Sequence, residues 1–332
     1  MEKSKLISVI QNAKKIAIFS HVNPDADALC SACAFKNIIR NNFVFKGIDV
    51  FVDGEIGELY DPILRNEVVN PLPYSSYDLA IVLDCPNPSR VGKYEELLSS
   101  IPFTINIDHH STNTRFGNIN YVSNKVSSTC ELLYLISKNI CNFELNNVIA
   151  KELYQGIITD TNCFTSLSLT KLSHKVLNEL LEYKFDADVI KEYYFKNNTQ
   201  EKTKLLAKSL SGIKYYQDGT VAVMKIPYED FLKCNATFED TLGIVDSGAA
   251  INGVKVCAIL IEKMPQRIYV SLRGKGEVNV GEIAKHFNGG GNETTAAFQY
   301  EGEMRELEKS FSTYLKGEVK DLPKDQDDVR IF

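Results

Sequence analysis

Three short apolar runs are the feature of this sequence that most constrains its fold. They cover residues 16–19, 79–83 and 103–107, and each contains β-branched residues. Apolar runs of this length and composition are typical of buried strands. Open α/β sheets bind their ligands at the carboxyl ends of such strands, so we expect an α/β fold with its site at that edge.

Polar residues with metal-ligand chemistry follow all three predicted strands. His21 comes shortly after the first, Asp84 directly after the second, and Asp108-His109-His110 after the third. A fourth acidic position, Asp160, follows a predicted helix over 146–158. One such residue at a strand end is usually structural, but the repetition predicts a shared site at one sheet edge.

The loop after the first strand carries the densest group of candidate ligands. Pro24 disfavours helical geometry at Asn23, so the loop stays extended before the next helix begins. Asp25 and Asp27 then fall near the N-terminus of that helix, where anionic side chains are favoured. A capped helix explains one Asp but not His21 together with both carboxylates. Imidazole and carboxylate ligands at close spacing suit Mn²⁺ or Mg²⁺.

Length and charge narrow the class of protein. A chain of 332 residues exceeds the usual size of a single core, so two domains are expected. The net charge of −6 argues against broad binding to long duplex nucleic acid, but permits a short anionic substrate in a local basic pocket. There is no apolar stretch of about 18 residues and no secretory signal pattern. We therefore expect a cytoplasmic protein without a membrane segment.

The eight cysteines stand mostly inside apolar segments, as buried free thiols of a reducing cytosol do. Cys30 and Cys33 form a CxxC pair, but no second pair accompanies it. A zinc or redox role for the pair is therefore the less favoured alternative.

A polar, charged segment separates the two expected domains. Residues 186–210 contain neither Gly nor Pro, and their apolar periodicity is weak, which favours a helical linker. The predicted organisation is a first domain over 1–185, the linker over 186–210, a second domain over 211–318 and a tail over 319–332.

The second domain has a local excess of basic residues. Between residues 251 and 291 there are six Lys or Arg against three Glu, which marks a place where an anion could dock. Gly289, Gly290 and Gly291 follow a predicted helix over 280–287. Consecutive glycine N–H groups can form an anion-binding nest. A helix C-cap followed by a turn is the alternative, and the glycines alone favour it.

Four motifs in this order resemble the DHH/DHHA1 phosphoesterases, in the nanoRNase and pAp-phosphatase branch of that family. They are His21–Ala28, Asp84–Arg90, Asp108-His109-His110 and Asp160-Thr161. The resemblance extends to about residue 316. It implies a parallel-sheet DHH catalytic domain joined by a helical linker to a smaller α/β DHHA1 substrate-binding domain.

The resemblance also assigns site residues. It implies one Mn²⁺ held by His21, Asp25 and Asp84, and a second held by Asp27, Asp84, His109 and Asp160, with Asp84 bridging. His110 would approach the substrate phosphate or the leaving group. Asp108 would orient the histidines, with a strand-end cap as the alternative. The expected substrate contacts are Arg90, His110, Ser271, Arg273, Gly289, Gly290, Gly291 and Asn292. Asn292 stands where the family usually has His, and an amide can carry neither charge nor a transferable proton.

The implied activity is a Mn²⁺-dependent or Mg²⁺-dependent phosphohydrolase. It would degrade very short RNA to 5′-mononucleotides and dephosphorylate pAp, with two metals and Asp84 activating a hydroxide for in-line attack. Hydrolysis of cyclic di-AMP or linear pApA is an alternative substrate choice. A non-catalytic nucleotide-binding regulator is an alternative of another class, against which the complete ligand set argues. Short RNA and pAp are the expected partners, and a homodimer is compatible with the family.

Overall fold

The structure is a computed structural model that describes residues 2–44, 46–65, 67–165, 169–276, 278–291 and 293–318. The chain divides into two compact units, Met1–Asn197 and Asn198–Phe332. The predicted tail over 319–332 lies outside the described residues.

The first unit alternates strands with helices along most of its length. Short 3-10 segments at Glu58–Tyr60 and Pro88–Tyr94 and a π-helical turn at Ile136–Cys141 complete it. Its strands are β1 (Lys15–Phe19), β2 (Gly47–Phe51), β3 (Leu79–Leu83), β4 (Thr104–Asp108) and β5 (Ile119–Val122). Its helices are α1 (Glu2–Asn12), α2 (Ala26–Asn42), α3 (Asp61–Leu64), α4 (Glu95–Ser100), α5 (Thr129–Leu135), α6 (Asn147–Asp160), α7 (Lys171–Leu180) and α8 (Ala187–Phe195).

The five strands form one parallel sheet in the order β2-β1-β3-β4-β5. The three apolar runs are the neighbouring strands β1, β3 and β4, which confirms the predicted α/β class. The order reverses between β1 and β3, and ligands of open α/β sheets bind at the carboxyl ends of strands beside such a switch point. The apolar pattern of the sequence does not indicate β5, because this edge strand mixes Asn and Tyr with apolar residues and stays half-buried.

Apolar residues cover both faces of this sheet. On one face, alternate strand residues such as Ile16, Ile18 and Ile81 pack against helices that include α2 and α6. On the other face, Phe19 and Val82 pack in a smaller cluster. Burial on both faces leaves the strand ends as the places where polar side chains of this sheet can gather.

The second unit is a mixed sheet with helices on both faces. A 3-10 turn covers Gln217–Gly219 and another covers Glu239–Thr241. Its strands are β6 (Lys214–Tyr216), β7 (Val221–Ile226), β8 (Val256–Met264), β9 (Arg267–Gly274), β10 (Gly290–Gly291) and β11 (Thr295–Glu301). Its helices are α9 (Gln200–Ser211), α10 (Tyr228–Cys234), α11 (Ile244–Ala249), α12 (Val280–His286) and α13 (Met304–Glu318).

The strand order of the second sheet is β10-β11-β9-β8-β7-β6, with β7 and β8 parallel and the other pairs antiparallel. Successive residues of β7 face opposite cores, as the two-residue period of a strand requires. Val221 and Val223 pack in the cluster that contains Phe311 of α13. Ala222 and Met224 pack in the cluster that contains Leu205 of α9.

The segment predicted as one linker over 186–210 consists of two helices. Helix α8 belongs to the first compact unit and α9 to the second. Thr199 starts a new helix here because its side chain accepts a hydrogen bond from the Lys202 N–H, as an N-cap does. Within the described part of the chain, no helix combines the length and apolar character needed to cross a membrane.

Candidate active site

The carboxyl ends of β1, β3 and β4 bring together the side chains that follow them. Asp84 lies between two histidines. Its Oδ2 is 3.5 Å from His21 Nε2, and its Oδ1 is 3.5 Å from His109 Nε2. The convergence expected from the three strand ends is therefore present in the structure.

Asp84 holds an unusual backbone conformation at the end of β3. Its φ is +55°, a region that residues other than glycine seldom occupy, and its N–H donates to the Ile107 carbonyl. The residue is 2% exposed. Burial opposes its charged form, but hydrogen bonding to His21 and the nearby His110 hold the pKa of this carboxyl well below its usual range. Asp84 is thus a buried carboxylate fixed in its charged form.

Asp25 acts as a helix cap and faces the cluster at the same time. Its Oδ1 accepts a hydrogen bond from the Ala28 N–H at 3.0 Å, which caps α2. Its Oδ2 lies 3.8 Å from His21 Nε2. Burial of His21 disfavours the imidazolium, yet the Asp84 and Asp25 carboxylates raise its pKa to about 9. The capping role and a ligand role are therefore compatible in one side chain.

Asp27 is held by the first turn of α5. Its Oδ2 accepts the Thr129 N–H at 2.7 Å and its Oδ1 accepts the Cys130 N–H at 3.0 Å. Burial, together with the negative charges of Asp84 and Asp160, raises the pKa of Asp27 well above its usual range. Such crowding of carboxylates favours a bound cation.

His110 is oriented by a buried polar network behind β4. Its Nδ1 is 2.7 Å from Oδ1 of Asp108, which is fully buried. The other oxygen of Asp108 accepts a hydrogen bond from Asn113 Nδ2 at 2.6 Å, and Asn113 also donates to Asn106. Asp108 counteracts the effect of burial and raises the pKa of His110 to about 10. Asp108 therefore contacts His110 directly, which is the arrangement that an orienting role for Asp108 requires.

The ligand atoms form overlapping groups, each with members within 4.8 Å of one another. A carboxylate shared between groups is what two neighbouring cations need, and the mixed oxygen and imidazole donors fit Mn²⁺ or Mg²⁺. The groups are His21 with Asp25 and Asp84, Asp27 with His109 and Asp160, and Asp84 with His109 and His110.

Arg90, an expected substrate contact, is exposed in the segment after β3. Its carbonyl accepts the Val22 N–H at 2.7 Å, so its backbone supports the loop that carries His21.

In the second unit, Arg273 and Ser271 lie side by side on β9. The Arg273 Nη1 is 3.3 Å from Ser271 Oγ. Its Nε donates to Asp246 Oδ1 at 2.7 Å, which fixes the guanidinium plane. Asp246 was not identified in the sequence analysis, because it lies 27 residues away on α11.

Two of the three glycines, Gly289 and Gly291, meet a packing requirement, whereas a Cβ at Gly290 would point into open space. The Gly289 N–H donates to the Ala284 carbonyl at 2.8 Å, which closes the end of α12. A Cβ at Gly289 would collide with the Ala297 carbonyl and with Phe298 of β11. Gly290 and Gly291 pair with β11 as the short strand β10. The interpretation of all three N–H groups as one free nest is therefore wrong for Gly289. Asn292 lies outside the described residues.

Two further residues, Thr129 and Asn113, contact the candidate site residues in the structure, and no sequence pattern indicates these contacts. Ser128 to Glu131 matches a capping pattern, which indicates a helix start but not what that start contacts. Asn113 lies in a loop without regular structure, where no periodic pattern indicates a contact.

Comparison with known proteins shows that the chain is similar to phosphoesterases. Residues 15–157 match the DHH family, N-terminal domain, and residues 218–317 match the DHHA1 domain. The probable bifunctional oligoribonuclease and PAP phosphatase NrnA of Streptococcus mutans is 29% identical over 289 residues, which cover 86% of this chain and 90% of that protein. The bifunctional oligoribonuclease and PAP phosphatase NrnA of Bacillus subtilis is 27% identical over 299 residues, 87% of this chain and 90% of that protein.

The similarity extends to a solved structure. The crystal structure of an exopolyphosphatase-related protein from Bacteroides fragilis superposes with a TM-score of 0.85 at 25% identity, covering 95% of both chains.

Proposed function

This chain belongs to the DHH phosphoesterases that carry a DHHA1 domain, and we propose that it degrades very short RNA to 5′-mononucleotides and dephosphorylates pAp. The relatives from Streptococcus mutans and Bacillus subtilis, whose names state both activities, support the substrate class. The single observation that carries the proposal is the position of Asp84 between His21 and His109 at the sheet edge.

The proposal assigns the candidate ligands to two divalent cations, Mn²⁺ by preference. His21, Asp25 and Asp84 would hold one, and Asp27, Asp84, His109 and Asp160 would hold the other. When bound, such a pair acidifies water and stabilises the charge that develops on a phosphoryl group. The assignment is supported by the donor atoms of His21, Asp25 and Asp84, and by those of Asp27, His109 and Asp160, which lie within 4.8 Å of one another in each group. The 3.5 Å approach of Asp84 Oδ1 to His109 Nε2 supports the place of Asp84 in the second site as well.

The remaining residues would bind and orient the substrate. The Nδ1–H of His110 donates to Asp108, which leaves Nε2 to donate to a phosphate or leaving-group oxygen. Arg273, held by Asp246, would bind a second phosphate together with Ser271, since a guanidinium suits bidentate phosphate contact. Arg90 and the glycines of β10 are further proposed contacts.

A cytoplasmic location is part of the proposal. None of the eight cysteines, all of which lie in the described residues, takes part in a disulfide, and seven of them are buried, as expected in a reducing compartment.

A substrate panel in Mn²⁺ tests the proposed function. The substrates are pAp, a labelled RNA ladder of about two to ten nucleotides, and cyclic di-AMP. We expect turnover of pAp and of the shortest RNAs, falling with length. Asp84→Ala should lower turnover by more than about 100-fold, since it removes the shared carboxylate.

The matched control is Asp188→Ala, which removes an exposed carboxylate whose side chain pairs with Lys191 on the same helix. This variant should keep wild-type turnover. Preferential cleavage of cyclic di-AMP to pApA would contradict the short-RNA assignment. Absence of all turnover in a folded, metal-loaded protein would contradict the enzymatic assignment and favour a nucleotide-binding regulator.

A further inference from the structure

Thr129 is the one described residue whose hydrogen bonds join two of the candidate ligand carboxylates. It is the first residue of α5 and is fully buried. Its N–H donates to Asp27 Oδ2 at 2.7 Å, and its Oγ1 lies 2.9 Å from Asp84 Oδ1. Asp27 follows β1 and Asp84 follows β3, so this residue bridges two separate strand ends.

The direction of the hydroxyl bond follows from the chemistry of Asp84. An ionised carboxylate has no proton to give, so the Thr129 hydroxyl donates. The accepting oxygen, Asp84 Oδ1, also lies 3.5 Å from His109 Nε2 and 3.7 Å from His110 Nδ1. The other carboxylate oxygen of Asp84, Oδ2, lies 3.5 Å from His21 Nε2. The hydroxyl therefore favours the rotamer in which each Asp84 oxygen points to a different histidine.

The start of α5 is itself rigidly held, so Thr129 has little freedom to move. The Ser128 hydroxyl accepts the Glu131 N–H at 3.1 Å. In return, Glu131 Oε2 accepts the N–H of Ser127 at 2.9 Å. The next residue, Cys130, donates its N–H to the second oxygen of Asp27. Two successive backbone donors and one hydroxyl thus fix both carboxylates from one helical turn.

We propose that Thr129 is a positioning residue that sets the orientation of the shared carboxylate Asp84 and ties it to Asp27. The inference rests on the proposed function only in its premise that the carboxylates and histidines around Asp84 bind divalent cations. It does not depend on which phosphoester is cleaved. Its consequence is that the hydroxyl strengthens cation binding without touching substrate.

Thr129→Val is the decisive variant. Valine has the same shape and β-branching, and it keeps the N–H that Asp27 accepts, so only the bond to Asp84 is lost. Thr129→Ser keeps the hydroxyl and serves as the rescue. Titration calorimetry of metal-stripped protein with MnCl₂ measures affinity and stoichiometry without substrate. We expect Mn²⁺ to bind about 10- to 100-fold more weakly to Thr129→Val and close to normally to Thr129→Ser.

A second readout separates positioning from a general structural defect. Turnover of Thr129→Val should recover toward the wild-type level as Mn²⁺ concentration is raised, because the lost affinity is then compensated. The matched control is Thr241→Val in the second unit, a buried threonine whose hydroxyl donates only to the Phe238 carbonyl. That variant should bind Mn²⁺ as the wild type does.

Wild-type Mn²⁺ affinity in folded Thr129→Val would overturn the inference. If Thr129→Val does not fold, Thr129→Ala, which removes the hydroxyl and the methyl group without adding bulk, is judged by the same criterion. A failure of the proposed substrates would leave this binding measurement unaffected, so the two hypotheses are tested separately.

Discussion

At the scale of single residues, the chemistry depends on how buried polar atoms are paired. Asp84 keeps its charge because histidines flank both of its oxygens. The strand-end pattern in the sequence predicts that Asp84, His21 and His109 converge. It does not predict Thr129 or Asn113, because hydrogen bonds between residues distant in sequence leave no periodic signal.

The polar network behind His110 gives a prediction for Asn113. Its Nδ2 donates to Asp108 and Asn106 inside the protein. Asn113→Ala should leave the buried Asp108 short of one donor, at a cost of about 1–3 kcal/mol in unfolding free energy. Because Asp108 then holds His110 less firmly, kcat on pAp should also fall, by about 10-fold.

The control for this variant is Asn120→Ala, which removes side-chain bonds to the Gly117 backbone. It should lower the melting temperature without a loss of kcat. An Asn113→Ala protein with reduced stability but full kcat would show that the network serves folding alone.

At the scale of elements, α2, α5 and α6 meet behind the candidate ligands. A Cβ at Gly156 of α6 would collide with the Cys130 thiol and lie 2.9 Å from Asp27 Oδ1. The glycine therefore allows α6 to approach the two other helices closely. The sequence predicts all three helices but not this approach, because packing distance depends on the partner surface.

The contact of α6 with α2 includes a buried acid, Glu152, which is 5% exposed. Both of its oxygens lie within 3.2 Å of Asn37 Nδ2. Burial is the main reason that the pKa of Glu152 is raised from 4.5 to about 8, and the neighbouring Glu67 adds to it, while Lys151 and Lys36 oppose it.

This raised pKa predicts how stability changes with pH. Between pH 4.5 and 8 the folded protein binds a proton at Glu152 that the unfolded chain has released, so its stability falls as pH rises through this range. Glu152→Gln removes the ionisable group and keeps an acceptor for Asn37. We expect it to raise the melting temperature by several degrees at about pH 8.5 and by less at about pH 5.

Thermal melts across this range, with the exposed Glu182→Gln as control, measure the effect. Glu182→Gln should melt like the wild type at each pH. The same shift at both pH values for Glu152→Gln would contradict the assignment of the titration to Glu152.

At the scale of the whole molecule, the chain has two sheets with separate cores, as its length predicts. The apolar runs of β1, β3 and β4 can be recognised in the sequence, because buried strands need continuous apolar character. The edge strands β5 and β10 do not, since each relies on one neighbour and carries polar or glycine residues. The break between α8 and α9 was also missed, because Thr199 caps a helix inside a uniformly polar segment.

Anomalous diffraction from crystals grown with Mn²⁺ shows whether two cations share Asp84. We expect two anomalous peaks about 3.5–4 Å apart, with Asp84 a ligand of both. His21 and Asp25 should contact one peak, and Asp27, His109 and Asp160 the other. A single peak, or two peaks of which Asp84 contacts only one, would show that Asp84 does not bridge two cations.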